Sequence, residues 1–229
     1  MATPVEPLLR ANPLYRRLSE PDRRRLADVS LARSYSKGTT IFTEGDPSDF
    51  LFTIDSGRVK VAKMLPGGKE VILEILGAGD PLGAVAAYES RPYPASATAL
   101  EDSTLLVVKR GAFFALLENS PSLVLGLLNG LSFRLLELTR RIAEVTGSRV
   151  ETRFASAFLM LAARLGRTEA RGVFIPLALS RQELADFTGT TLETAIRVMS
   201  RWGKEGLVLT EKEGFVLVDR AALERLASV

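Results

Sequence analysis

The sequence predicts an α+β chain in three parts: an N-terminal antiparallel β-barrel or roll, one long amphipathic helix, and a C-terminal winged helix-turn-helix. Three observations predict it. Short apolar runs split by turn signals fill residues 31–110, a leucine-rich stripe occupies 121–145, and a capped helix–glycine–helix unit with a hairpin after it lies at 179–218. The chain has 229 residues, room for two domains of ordinary size, and is 46% apolar, enough for a core without disulfide or metal staples.

Residues 7–30 read as helical, with Ser19-Glu20-Pro21-Asp22 supplying a cap, an early proline and first-turn acids. From residue 31 the pattern becomes strand-like. Thr40–Phe42, Phe50–Ile54, Val59–Ala62 and Val71–Leu76 are separated by Glu44-Gly45-Asp46-Pro47, Asp55-Ser56-Gly57, Pro66-Gly67-Gly68 and Gly77-Ala78-Gly79-Asp80. Short strands at regular spacing are the mark of a barrel or roll. From Pro121 the period turns helical. Val124, Leu128, Leu131, Leu135, Leu138, Ile142 and Val145 alternate in steps of four and three, a three-heptad seam of coiled-coil type. Such a stripe can also pack on its own domain's core. Its length, and the charged opposite face of Arg134, Glu137, Arg140, Arg141 and Glu144, favour pairing between two chains. Gly147-Ser148 then reads as a hinge, with a helix after it at 149–165 and a loop with one short strand at 166–178. The expected domains are 1–120, 121–146 and 147–229.

The stretch from Leu179 to Met199 is the most specific. Ser180 with Glu183 three residues on makes a capping box, and Leu184 and Phe187 give that helix an apolar face. Gly189 suits a turn needing positive φ. Thr191 caps a second helix with Ala195, Val198 and Met199 on its apolar side. The opposite side carries Glu193, Arg197 and Arg201, four apart, a face able to enter a DNA major groove, where Arg reads guanine and Glu accepts from cytosine. Two helices around a glycine occur in many proteins, and Glu/Arg at i, i+4 can be a solvated ion pair. The C-terminal neighbour of the two helices makes the pattern more specific: Val208-Leu209-Thr210, a Glu211-Lys212-Glu213-Gly214 turn and Phe215–Val218 form a wing.

Composition narrows the chemistry. There is no cysteine and no histidine, so disulfides, thiolate clusters, a Cys nucleophile and a Ser-His-Asp triad are excluded, together with the commonest metal and haem ligands. No paired carboxylates or phosphate loop takes their place, so an enzyme is not expected, nor a cofactor or a metal. Gly67-Gly68 and Gly77-Ala78-Gly79 read as turn glycines. No signal peptide and no apolar run of about 20 residues is present, so the expectation is a cytoplasmic protein with no membrane partner. Net charge is only +3, and residues 151–229 carry eleven Lys/Arg against ten Asp/Glu. DNA affinity must therefore come from a local cluster: Arg181, Arg197, Arg201 and Lys204.

Taken in order, these parts resemble the cyclic-AMP receptor protein/FNR family of bacterial transcription regulators. The resemblance covers nearly the whole chain. It is carried by Gly38–Asp46, Ile54–Val59, Gly68-Lys69-Glu70, Gly79–Gly83, Leu131–Leu135 and Arg181–Ala185. It implies a cyclic-nucleotide-binding-like double-stranded β-roll and a homodimer on a double-stranded inverted-repeat operator. It also implies regulation through contact with RNA polymerase, by activation or repression. Arg181, Gln182, Thr190, Thr191, Leu192, Glu193, Ile196, Arg197 and Arg201 are the implied DNA-binding residues. Arg197 and Glu193 match the family's base readers within a TGA-like half-site, while Arg181 and Arg201 are expected on phosphates. Leu192 stands where some members carry a second base-reading Arg, and Ile196 where the residue is small or polar.

The implied effector pocket comprises Gly83, Ala84, Val85, Arg91, Pro94, Ala95, Ser96 and Thr139, and it departs from the family's cassette. Members that bind cyclic AMP place a Glu after the first glycine and, about ten residues on, an Arg with Ser or Thr next to it. Here those positions hold Ala84 and Pro94, with Arg91 three residues off. Each lost charge-assisted hydrogen bond costs roughly 1.5–3 kcal/mol, so two losses weaken binding by about two to four orders of magnitude. Cyclic AMP is not the expected effector. Oxygen sensing through a cysteine-bound cluster and haem sensing through His or Cys lack their ligands. An uncharged or anionic small molecule, or no effector, remains. The competing reading is a cyclic-nucleotide-type module acting through protein–protein contacts.

Overall fold

The computed structural model describes residues 5–12, 14, 15, 18–147 and 149–228, with the side chains of 133, 134, 137, 138 and 140–147 outside that description. The chain divides into two compact units, Met1–Leu136 and Glu137–Val229.

The first unit opens with α1 (Val5–Ala11) and α2 (Glu20–Val29), two helices within the stretch 7–30 that reads as helical. Tertiary hydrogen bonds compete with the helix here. Asn12 Nδ2 donates to the Ile54 carbonyl at 2.9 Å, its Oδ1 accepts from Leu14 N at 3.0 Å, and the Tyr15 and Thr53 hydroxyls lie 2.6 Å apart. Ser19 then caps α2, accepting from Asp22 N as the sequence predicts.

The roll is two four-stranded antiparallel sheets. One has the order β1 (Ser30–Tyr35), β8 (Ser103–Lys109), β3 (Phe50–Ser56), β6 (Pro81–Leu82). The other runs β2 (Thr40–Phe42), β7 (Ser96–Ala99), β4 (Val59–Met64), β5 (Glu70–Leu76). Phe42, Phe52, Ile54, Val59, Val61, Leu105 and Val107 from both sheets meet inside. A second cluster lies on the other face of the first sheet. There Leu9, Leu26, Leu51 and Leu106 pack with residues of α3 (Ala84–Glu89), α4 (Arg110–Leu117) and the start of α5 (Pro121–Gly147).

The division between the two compact units falls inside α5. Leu123 is 3% exposed in the second cluster and Leu127 packs against it, so the first turns of α5 belong to the N-terminal unit. Those two leucines are not members of the heptad stripe. Of the stripe, Val124 and Leu131 are half-buried, whereas Leu128 is 53% and Leu135 66% exposed, with Leu125 and Leu136 exposed beside them. The side chains of Leu138, Ile142 and Val145 lie outside the described residues.

The second unit contains α6 (Val150–Leu165), β9 (Arg167–Glu169), β10 (Gly172–Ile175), α7 (Arg181–Thr188), α8 (Leu192–Lys204), β11 (Val208–Glu211), β12 (Gly214–Leu217) and α9 (Arg220–Ala227). Its sheet order is β11-β12-β10-β9, all antiparallel. Residues 166–178 thus hold a two-stranded hairpin rather than one strand. β9 is Arg-Thr-Glu and wholly exposed, so it carries no apolar alternation to read. Trp202 is the hub of this core: it is fully buried at the end of α8, with its ring 6.1 Å from both Phe154 and Phe158 of α6. Phe158 in turn meets Phe215 of β12 edge-on at 5.2 Å. Among the described residues no single helix is long and apolar enough to cross a membrane.

Candidate nucleic-acid interface

Two capped helices build the site. Ser180 Oγ accepts from Glu183 N at 3.1 Å, and Glu183 Oε2 accepts from Ser180 N at 2.8 Å, the reciprocal capping box. Gly189 ends α7 at φ 66°, ψ 38°. A Cβ there would meet nothing within 4 Å, so the left-handed backbone, not crowding, demands the glycine. Thr191 Oγ1 accepts from Thr194 N to start α8. Ser180→Ala removes one side of the box and is expected to destabilise this unit by about 1 kcal/mol. Urea unfolding monitored by the fluorescence of Trp202, the chain's single tryptophan, checks this. An unshifted midpoint would show that the cap is dispensable.

α8 buries Ala195, Val198, Met199 and Trp202 and leaves Leu192, Glu193, Ile196, Arg197, Ser200 and Arg201 exposed. Glu193 and Arg197 have no ion-pair partner among the described residues, so the i, i+4 pair the spacing allows is not formed. Arg197 sits in mid-helix with its guanidinium unpaired among the described residues. Arg201 differs: it pairs with Glu151 of α6 at 2.5 Å and lies 3.8 Å from Glu205. Arg181 is half-buried and donates to Thr210 Oγ1 of the wing at 2.8 Å, and burial lowers its pKa. Gln182 is exposed and donates to Asp186 Oδ1 at 2.8 Å, while Thr190 is buried in the turn. The structure thus brings together Leu192, Glu193, Ile196 and Arg197 on one open face. It ties Arg181 of α7 to the wing and Arg201 of α8 to α6.

Sequence reasoning missed Glu151 and Arg153. Arg153 Nη2 reaches the Gly189 carbonyl at 3.5 Å, and its buried Nε has no partner among the described residues. Both lie on α6, 36–50 residues from their contacts, and no local pattern announces such distant pairings.

In the roll, Gly83 sits at φ 73°, and a Cβ there would fall 2.7 Å from the Tyr93 ring. Ala84 is sealed in the helical cluster, Ala95 is buried inside the roll, and Val85, Arg91 and Pro94 are exposed. Ser96 Oγ accepts from Glu44 N, and Thr139 is exposed on α5. Tyr93 fills the roll beside the cassette. Its ring stacks on Phe42 at 3.9 Å, its hydroxyl donates to the Phe50 carbonyl at 2.6 Å, and burial pushes its pKa up to about 12. Of the cations on this side, Lys63 pairs with Glu44 and Lys60 with Glu70, while the exposed Arg91 has no ion pair among the described residues.

A winged helix-turn-helix whose second helix exposes Glu193 and Arg197, carried on the same chain as a cyclic-nucleotide-type roll, defines a DNA-binding transcription regulator. Residues 32–120 match the cyclic nucleotide-binding domain family, and residues 152–226 match the Crp-like helix-turn-helix domain family. The nitrogen fixation regulation protein FixK of Azorhizobium caulinodans is 31% identical over 198 residues, 85% of this chain and 78% of that protein. The CRP-like cAMP-activated global transcriptional regulator of Mycobacterium tuberculosis is 28% identical over 193 residues, 84% of this chain and 86% of that one. The solved structure of FixK2 from Bradyrhizobium japonicum superposes with a TM-score of 0.76 at 25% identity, covering 88% of this chain and 98% of that chain. The chain belongs to the CRP/FNR family of transcription regulators.

Proposed function

We propose that the chain acts in the cytoplasm as a homodimer on an inverted-repeat operator and does not require cyclic AMP. Residues 1–120 serve as an effector-type domain, 121–146 as the dimerisation helix and 147–229 as the DNA-binding domain. Each chain offers α8 to a major groove, the two helices lying roughly 34 Å apart, one turn of DNA. The observation that carries this is the exposed Glu193/Arg197 row without internal partners among the described residues. A guanidinium with five free donors matches guanine O6 and N7, and a carboxylate matches the cytosine amino group. The exposed stripe residues Leu128 and Leu135 support the dimer, since leucines at heptad positions gain by leaving water. RNA polymerase is the further partner, and the chain performs no catalysis of its own.

Independence from cyclic AMP is supported by the cassette. Ala84 and Pro94 offer no ribose acceptor and no phosphate donor, and Lys60 and Lys63 are neutralised by carboxylates. The effector is an uncharged or anionic small molecule, or there is none and abundance sets activity. Selection of bound DNA from a random double-stranded pool, with and without cyclic AMP, tests the reading. The same inverted repeat is expected in both selections, and calorimetry is expected to show no heat of binding at physiological nucleotide levels. A micromolar dissociation constant coupled to tighter DNA binding would overturn it.

A further inference from the structure

Two rows run side by side along the exposed face of α8. One is charged, Glu193 and Arg197; the other is Leu192, Ile196 and Ser200. Leu192 is 43% and Ile196 49% exposed. Single exposed aliphatic side chains are ordinary. These two are adjacent, one turn apart, and lie beside the charges proposed to read bases. Among the described residues of the C-terminal unit, the other large apolar side chain as exposed is Val218. The turn between them is about 6 Å along the helix axis, close to two base-pair steps of about 3.4 Å.

Neither side chain can donate or accept a hydrogen bond, so neither can tell adenine from guanine or O4 from N4 by polar contact. The major groove offers them one complementary group, a methyl on C5 of a pyrimidine. We infer that Leu192 and Ile196 form a methyl-reading surface that selects thymine beside the guanine-containing core, and that accepts 5-methylcytosine in thymine's place. This rests on α8 being the base-reading helix, as proposed above. It goes further by making the group recognised a methyl rather than a base identity, so that cytosine methylation at those positions would tune operator affinity.

The test uses the inverted repeat recovered by selection and replaces its flanking thymines one at a time by deoxyuridine, which keeps O4 and loses only the methyl. Loss of one methyl burial in each half-site is expected to weaken the wild type about fourfold per half-site. At the same position, cytosine should bind like uracil and 5-methylcytosine like thymine. Leu192→Ala or Ile196→Ala should erase the thymine/uracil difference at its own position while leaving the penalty for altering the core guanine unchanged. Both residues are exposed, so the variants should fold, and the uracil comparison on the wild type needs no variant. Equal affinity for thymine and uracil at every flanking position, with core-guanine discrimination intact, would overturn the methyl reading alone. Absence of core-guanine discrimination as well would overturn it together with the base-reading role of α8.

Discussion

Leu128→Glu is expected to leave each chain folded and to break the dimer. Leu128 is 53% exposed within its own unit, so a glutamate there meets water in the monomer and costs the fold little. In a paired seam the same position is buried against the partner. Losing a leucine burial removes about 1.5–3 kcal/mol per chain, and a carboxylate with no cation opposite adds desolvation cost. Two chains carry the change, so the dimer constant should weaken by at least about two orders of magnitude. Leu135→Glu, at a stripe position 66% exposed, should act alike. Sedimentation should show a wild-type dimer at micromolar concentration and variant monomers with unchanged circular dichroism. A wild-type monomer, or two variants that stay dimeric, would assign the stripe to packing within one chain.

The second large effect falls on base reading. Arg197→Ala should cost about 1–3 kcal/mol per half-site and remove the preference for the central guanine. Because Arg197 has no internal partner among the described residues, its removal should barely move thermal stability. Affinities for the operator and for central-guanine variants separate this outcome from a backbone contact, which would weaken all sequences alike and leave discrimination unchanged.

The C-terminal unit is the more legible half. Ser180 with Glu183, Gly189, and Thr191 are local signals, and each forms in the structure the contact or backbone angle its chemistry predicts. The hairpin from Val208 to Leu217 is equally local. The features that escape a reading of the sequence depend on distance. The break between α1 and α2 is held by Asn12 and Tyr15 bonding to Ile54 and Thr53, residues about forty positions away. β9 is too polar and short to carry a period. The contacts of Arg181 and Arg201 are hidden in the same way, because Thr210 and Glu151 meet them only through the fold. The spacing does place Arg197 on the exposed face of α8, but whether it pairs with Glu193 is a matter of rotamers, not of sequence.

The most direct test of the central proposal is titration of the chain onto the selected inverted repeat across a range of salt concentrations. Two chains per duplex are expected, with log affinity falling linearly in log salt as phosphate counterions are released, no change on adding cyclic AMP, and weak binding to an isolated half-site. One chain per duplex, affinity indifferent to salt, or binding that appears only with cyclic AMP would contradict it.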